Sequence, residues 1–152
     1  MIIKELDESV QKELAEVRGE IVVSRGHVHR LDRLPGYIAL VNGLIAGLIT
    51  YHIQDDECEI VSLDSKLENR GIGSALIKKV LEVAKSLQCK RVWLITSNDN
   101  IRAIRFYQKR GFDLAGIHLN AITEARKIKP SIPVIGYDDI PVKHEIEFEM
   151  GL

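Results

Sequence analysis

The sequence predicts an α/β fold: a mixed, mostly antiparallel twisted sheet flanked by helices. Three observations carry this. An Asn-Gly dipeptide at 42–43 separates two apolar runs, the signature of a two-residue hairpin. A helical repeat at 71–87 lies between two strand-like runs, Glu57–Leu63 and Val92–Thr96, and such a crossover makes the two strands parallel. Residues 144–150 alternate strictly, with Glu145, Glu147 and Glu149 on one face and Ile146, Phe148 and Met150 on the other.

Taken in order, Ile2-Ile3 begins a short strand, and Asp7 or Ser9 caps a brief helix through Leu14 and Val17. Glu20 to Ser24 is a further short strand. Tyr37 to Val41 and Leu44 to Ile53 form the hairpin, and Gln54-Asp55-Asp56 turns the chain into the strand from Glu57. In the helix at 71–87, Ile72, Leu76, Val80, Ala84 and Leu87 share one face, which packs on the sheet. Val92 to Thr96 is apolar throughout, as in a strand covered on both sides. A helix at 100–110, a strand from Phe112 to Gly116 and a helix from Asn120 to Ile128 follow, the last stopped by Pro130. Residues 131–141, with two further prolines and a glycine, form a loop before the final strand, His144 to Met150. That strand, with one apolar face, is a candidate sheet edge for pairing with a second copy of the chain.

At 152 residues the chain is expected to be a single domain, burying about 68–70% of its unfolded surface. Its 45% hydrophobic and 28% charged residues suit a soluble globular protein, and a net charge of −1 gives no electrostatic footprint for nucleic acid. No run of 18 apolar residues suggests a membrane span, and Asn42, the glycines and Thr50 break the apolar stretch at 36–53. Without a signal-peptide pattern, a cytoplasmic location is expected. Cys58 and Cys89 lie in different elements without metal-ligand spacing, so Cys58 is read as a small buried thiol rather than a nucleophile. His27 and His29 share a strand face but lack a third ligand, so no metal is expected.

The most informative segment is Glu-Asn-Arg-Gly-Ile-Gly-Ser-Ala at 68–75. Gly71 and Gly73 carry no Cβ, so a ligand can approach the backbone closely. The helix that starts there offers N–H groups and the positive end of its dipole to phosphate. A dinucleotide fingerprint would need glycine where Leu76 stands, and Leu76-Ile77-Lys78 does not complete a Walker loop. The second motif runs from Asn100 through Ala103 and Tyr107 to Gly111 and Phe112.

Together these two segments resemble the GNAT N-acetyltransferase superfamily. Its acetyl-CoA loop reads Gln/Arg-x-x-Gly-x-Gly/Ala, and its later helix reads Asn-x-x-Ala-x-x-x-Tyr-x-x-x-Gly-Phe. The resemblance covers roughly residues 37–115; the second pattern is complete, and the first departs at Glu68, in the Gln/Arg position. It implies a central parallel strand pair that splays apart beside Leu63 and Asp64 to admit the pantetheine arm of acetyl-CoA. Leu63 and Ser65 would pair with that arm through their backbones. The pyrophosphate would rest on the N–H groups of Asn69, Arg70, Gly71, Ile72, Gly73, Ser74 and Ala75. Asn100 would hydrogen-bond the arm, and Arg102 or Lys109 would reach an outer phosphate. Tyr107 would supply a proton or hydrogen bond to the departing thiolate, since a phenol near pKa 10 protonates a thiolate near 8.5 only mildly uphill.

For the base that deprotonates the acceptor amine, Glu59 is favoured over Glu57 on the same strand. Glu145 and Glu147 are instead candidates to hold a cationic substrate, and all four have a solvated strand face as the alternative. Residues 24–30 fall where the family builds its acceptor pocket, with Arg25 or Arg30 placed to receive an acidic group. The expected partners are therefore acetyl-CoA and an amine acceptor, with a homodimer as the family's habit. A non-catalytic acyl-CoA-binding or sensing module fits the same glycines and Asn100.

Overall fold

The computed structural model describes residues 1–66 and 71–152. The described strands are β1 (Ile2–Glu5), β2 (Ile21–Ser24), β3 (His27–Arg30), β4 (Gly36–Val41), β5 (Leu44–Gln54), β6 (Glu57–Ser65), β7 (Arg91–Ser97), β8 (Asp113–His118) and β9 (Glu145–Gly151). Four helices interleave with them: α1 (Glu8–Arg18), α2 (Ile72–Ser86), α3 (Ile101–Lys109) and α4 (Ala121–Ile128).

Seven strands form one sheet in the order β1-β4-β5-β6-β7-β9-β8, and β2 pairs with β3 in a separate hairpin. Every neighbouring pair is antiparallel except β6 with β7, the pair joined through α2. Asn42 and Gly43, at φ 52° and 77°, make the expected tight turn between β4 and β5. Asp7, rather than Ser9, caps α1, its carboxylate accepting the Val10 N–H at 2.9 Å.

The sheet separates two apolar layers. On one side, Ile72, Leu76, Val80 and Ala84 of α2 pack with Ile49, Cys58, Ile60, Val92, Leu94 and Phe148. Each large side chain buried there contributes roughly 1.5–3 kcal/mol. Leu87, expected on this face, is 59% exposed, because the helix has already ended and the chain turns at Gln88, φ 61°. On the other side, Leu14, Leu31 and Leu34 close over Ile38 and Leu48 of β4 and β5. This second layer lies beneath α1 and the 3-10 turn Leu31–Arg33.

Two expectations change. The final strand is not an edge: β9 lies between β7 and β8, bonded on both sides, so β1 and β8 carry the sheet's edges and β9 offers no free edge to a second copy. Nor is its acidic face solvated throughout, for Glu145 and Glu147 are buried and Glu149 is half-buried. The β2–β3 hairpin provides part of the reason, since the Arg25 backbone and side chain bond to Glu145 and Glu147.

Candidate active site

The parallel ladder between β6 and β7 ends at Ile60 and Leu94, yet β6 continues to Ser65 and β7 to Ser97. Past that point each strand keeps only its outer antiparallel partner, and a split opens in the middle of the sheet. A cavity of about 470 Å3 lies there, walled by Leu63 and Ser65 of β6, the first residues of α2 and one face of α3.

Gly71 caps α2 in the left-handed region, φ 71°, a conformation that favours glycine. The N–H groups of Ile72, Gly73 and Ser74 fall in the first helical turn, which has no intrahelical acceptors. The Ala75 N–H is already bonded to Gly71 O at 3.0 Å, so Ala75 does not belong with them. Gly73 has a packing duty as well: a Cβ there would stand 3.0 Å from Phe106 Cζ on α3. Arg110 fastens the two helices, donating to Ser74 Oγ at 2.9 Å and to Phe106 O at 3.1 Å, with its guanidinium 3.7 Å from the centre of the Phe106 ring.

Asn100 caps α3, its Oδ1 accepting the Ala103 N–H at 3.2 Å, and is not among the residues lining the cavity. Tyr107 does line it, buried between Phe106, Phe112 and Phe148 with ring centres 5.2, 5.6 and 6.2 Å away. Burial, and secondarily the charge of Asp64, push its phenol well above the usual value. The hydroxyl therefore keeps its proton and suits hydrogen-bond donation better than full proton transfer.

Across the sheet, a buried polar layer replaces the apolar one. Glu59 Oε2 accepts from Ser24 Oγ at 2.5 Å, and Oε1 lies 2.8 Å from His29 Nε2. Glu57 pairs with Arg91. Glu147 takes Arg25, Arg91 and His118 at 3.0, 2.8 and 3.0 Å. Burial alone would raise the Glu147 carboxyl, but the bonds from Arg91 and His118 outweigh it and hold the pKa below the usual value. Among the described residues Glu145 accepts from the Arg25 N–H, at 3.1 and 3.4 Å from its two oxygens, and there burial wins and pushes the pKa up. Cys58 is wholly buried with its thiol pushed up to about 12, chiefly by desolvation, which makes it a poor nucleophile.

A second cavity, of about 320 Å3, lies where the free end of β7 meets α4 and the 131–141 loop. Asp99 and Glu145 stand in its wall.

Residues 4–112 match the profile of the acetyltransferase (GNAT) family. The chain belongs to that family. It is 48% identical over 130 residues to the uncharacterized protein YdhI of Bacillus subtilis, a stretch covering 85% of this chain and 81% of the relative. Among solved structures it is similar to a GNAT family acetyltransferase from Elizabethkingia anophelis with acetyl-CoA bound, at TM-score 0.71 and 27% identity over 80% of this chain and 78% of that one. The IAA acetyltransferase of Bacillus cereus shares the fold at TM-score 0.77 and 19% identity, over 99% of both chains.

Within this GNAT protein, Leu63, Ser65, Gly71, Ile72, Gly73, Ser74 and Tyr107 come together around one cavity, with Arg102 and Lys109 in its wall. Glu68, Asn69 and Arg70 lie outside the described residues. Glu59 lines neither cavity, both of its oxygens being held by Ser24 and His29. Arg25 and Arg30 do not wait for an acidic substrate, since Glu147 and Asp32 already engage them. Among the described residues no group of His, Cys, Asp or Glu side chains is arranged to hold a metal ion, and no helix is long and apolar enough to cross a membrane. Asp99, in the wall of the second cavity, carries no signal in the sequence beyond its place next to the motif's Asn100.

Proposed function

We propose that this domain transfers the acetyl group of acetyl-CoA directly to a primary amine. The observation that carries the proposal is the split between β6 and β7, which opens onto the glycine-rich start of α2 with Tyr107 in the same wall. The N–H groups at 72–74 and the positive end of the helix suit a pyrophosphate. Arg102 and Lys109 add positive charge along the same wall. The pantetheine arm then follows β6 past Leu63 and Ser65 and brings its thioester into the split.

A lysine-like amine has a pKa near 10.4, so about one molecule in a thousand is a free nucleophile at neutral pH. Removing the proton costs roughly 4 kcal/mol, which nearby carboxylates help to supply. The buried carboxylates Glu59 and Glu145 provide them, whereas Glu147 is already held as the anion by its three cationic partners. Glu59 sits behind Ser24 and His29, so its part in proton removal passes through that pair. The amine nitrogen attacks the thioester carbon, the C–N bond forms, the C–S bond breaks, and the Tyr107 hydroxyl donates a hydrogen bond to the departing sulfur.

Thermal unfolding with acetyl-CoA, CoA and ATP, each alone, tests the cofactor. A ligand at 100 times its Kd stabilises the fold by about 2.7 kcal/mol. Shifts with both CoA forms and none with ATP are expected, followed by CoA thiol release when a panel of amines is added. No shift with CoA would overturn the proposal. A shift without thiol release for any amine would leave an acyl-CoA-binding module.

A further inference from the structure

The cavity of about 320 Å3 is close to the lower limit of small-molecule sites, so its occupant is compact. Most of the wall is apolar, with Val23 from the hairpin, Ile122 and Ala125 from α4, and Pro133 and Val142 from the loop region. Two acidic side chains break that wall. Glu145 is 2% exposed and Asp99 4% exposed. Asp99 Oδ2 accepts the Tyr137 N–H at 3.1 Å, while Oδ1 is buried without a hydrogen-bond partner. A buried carboxylate oxygen left without a donor carries an unmet desolvation cost. Among the described residues no lysine, arginine or histidine lines the same cavity.

The place of the cavity ties it to the reaction. Its wall includes Ile95, Thr96 and Ser97, the end of β7 beyond the last residue paired with β6, whereas the first cavity uses Leu63 and Ser65 at the corresponding end of β6. One cavity therefore takes each side of the split. Gly136 shapes the acidic corner, for a Cβ there would fall 1.9 Å from Asp99 Oδ2 and 2.8 Å from Val142 Cγ2. The loop can close over the Asp99 carboxylate only because that position has no side chain.

We infer that this cavity is the acceptor subsite and selects a compact, largely apolar primary amine that carries no carboxylate, its ammonium drawn to Asp99 Oδ1 and Glu145. An ammonium supplies the donor that Asp99 lacks and brings the charge that two buried carboxylates favour. An amino acid with the same side chain would set its own carboxylate among those two, with no cation in the wall to pair it. The exclusion is built from repulsion as much as selection is built from attraction. This inference rests on the transferase proposal for the identity of the reaction, but the binding it specifies does not require acetyl-CoA.

Isoamylamine and 2-phenylethylamine, set against leucine and phenylalanine, differ from their partners by the carboxylate alone. Calorimetric titration of each into the full chain without cofactor is expected to show saturable binding of the amines, with the amino acids weaker by about 10-fold or more. In the presence of acetyl-CoA the same order is expected in thiol release. Asp99→Asn is expected to weaken the amines by about 10-fold while leaving the acetyl-CoA thermal shift intact. Should Asp99→Asn fail to fold, Ala125→Leu, which fills the cavity from α4, is expected to abolish amine binding with the acetyl-CoA shift retained. Equal binding of amines and amino acids, or amine binding indifferent to a folded variant, overturns the inference. In that case an intact acetyl-CoA shift leaves the transferase proposal standing, whereas loss of that shift in the wild-type chain would remove the transferase proposal itself.

Discussion

Among the described residues, Arg102, Arg105, Lys109 and Arg110 line the first cavity together with no carboxylate, whereas Asp99 and Glu145 line the second together with no cation. The chain as a whole carries a net charge of −1, an average that conceals both. Opposite fields on the two sides of one strand pair suit an anionic cofactor and a cationic acceptor, each discouraged from the other's place. The two cavities also differ in how they are assembled. The first takes most of its wall from two short stretches, 71–74 and 102–110, so local motifs report it. The second gathers residues 23, 95–97, 99, 122, 125, 132, 133, 137, 142 and 145, which meet only when the sheet is complete.

The largest effect expected is on the cofactor side alone. Gly73→Val would place a branched side chain where even a Cβ stands 3.0 Å from Phe106, forcing α2 and α3 apart at the first turn. Overpacking of this kind costs about 1–3 kcal/mol, and the displaced N–H groups add to it, so acetyl-CoA affinity should fall by more than about 100-fold. Calorimetry with acetyl-CoA and, separately, with isoamylamine checks it. Loss of both bindings together would mean that the two sides are one cooperative unit, and the comparison would break.

Tyr107→Phe sharpens the comparison at the split itself. The ring packing among Phe106, Phe112 and Phe148 is preserved and only the hydroxyl is lost. Removing one donor to a developing charge lowers kcat by about 100-fold. Acetyl-CoA affinity should hold within about 2-fold, because the lost interaction belongs to the transition state. An unchanged kcat removes Tyr107 from the reaction.

How much of this was legible follows the same division. The Asn42-Gly43 turn, the helix at 72–86 and the motif helix are each specified by residues close together in the chain, and each was placed to within a few residues. The β2–β3 hairpin was half seen. Its turn uses Arg25 at φ 52° before Gly26 at φ 76°, and arginine is not a residue that announces a left-handed turn. The acidic face of β9 could not be assigned to core or solvent from its alternation, because a period of two gives the faces but not what covers them. Its burial depends on Arg25, Arg91 and His118, which come from three other elements.

Glu147 tests the acidic side through stability. Its folded pKa lies below the ordinary carboxylate value of 4.5, so its contribution is present above that pH and is lost as pH falls through the folded value. Glu145 has the opposite sign: its folded pKa is raised, so its contribution is present at low pH and is lost as pH rises through the folded value. Glu147→Gln should therefore cost about 1.5 kcal/mol at pH 7 and much less at pH 3, after allowing for the part-exposed Arg25. Urea unfolding at the two pH values checks it. An equal loss at both would assign Glu147 a packing role rather than a charge role.

The smallest effect is expected from Lys109→Ala. Lys109 lines the first cavity near the end of α3, where its charge would act on a phosphorylated ligand only at a distance. An exposed charge pair contributes about 0.2–1 kcal/mol, so acetyl-CoA should bind only about 2- to 5-fold more weakly. The salt dependence is more informative than the size. Screening acts over about 8 Å at physiological ionic strength and about 3 Å at 1 M, so the difference between wild type and variant should vanish at high salt. Amine binding across the sheet should not respond to Lys109 at either ionic strength. If the amine tightens when Lys109 is removed, the cation's field reaches the acceptor cavity through the protein. The opposing charges of the two sides would then be coupled through the split rather than kept apart by it.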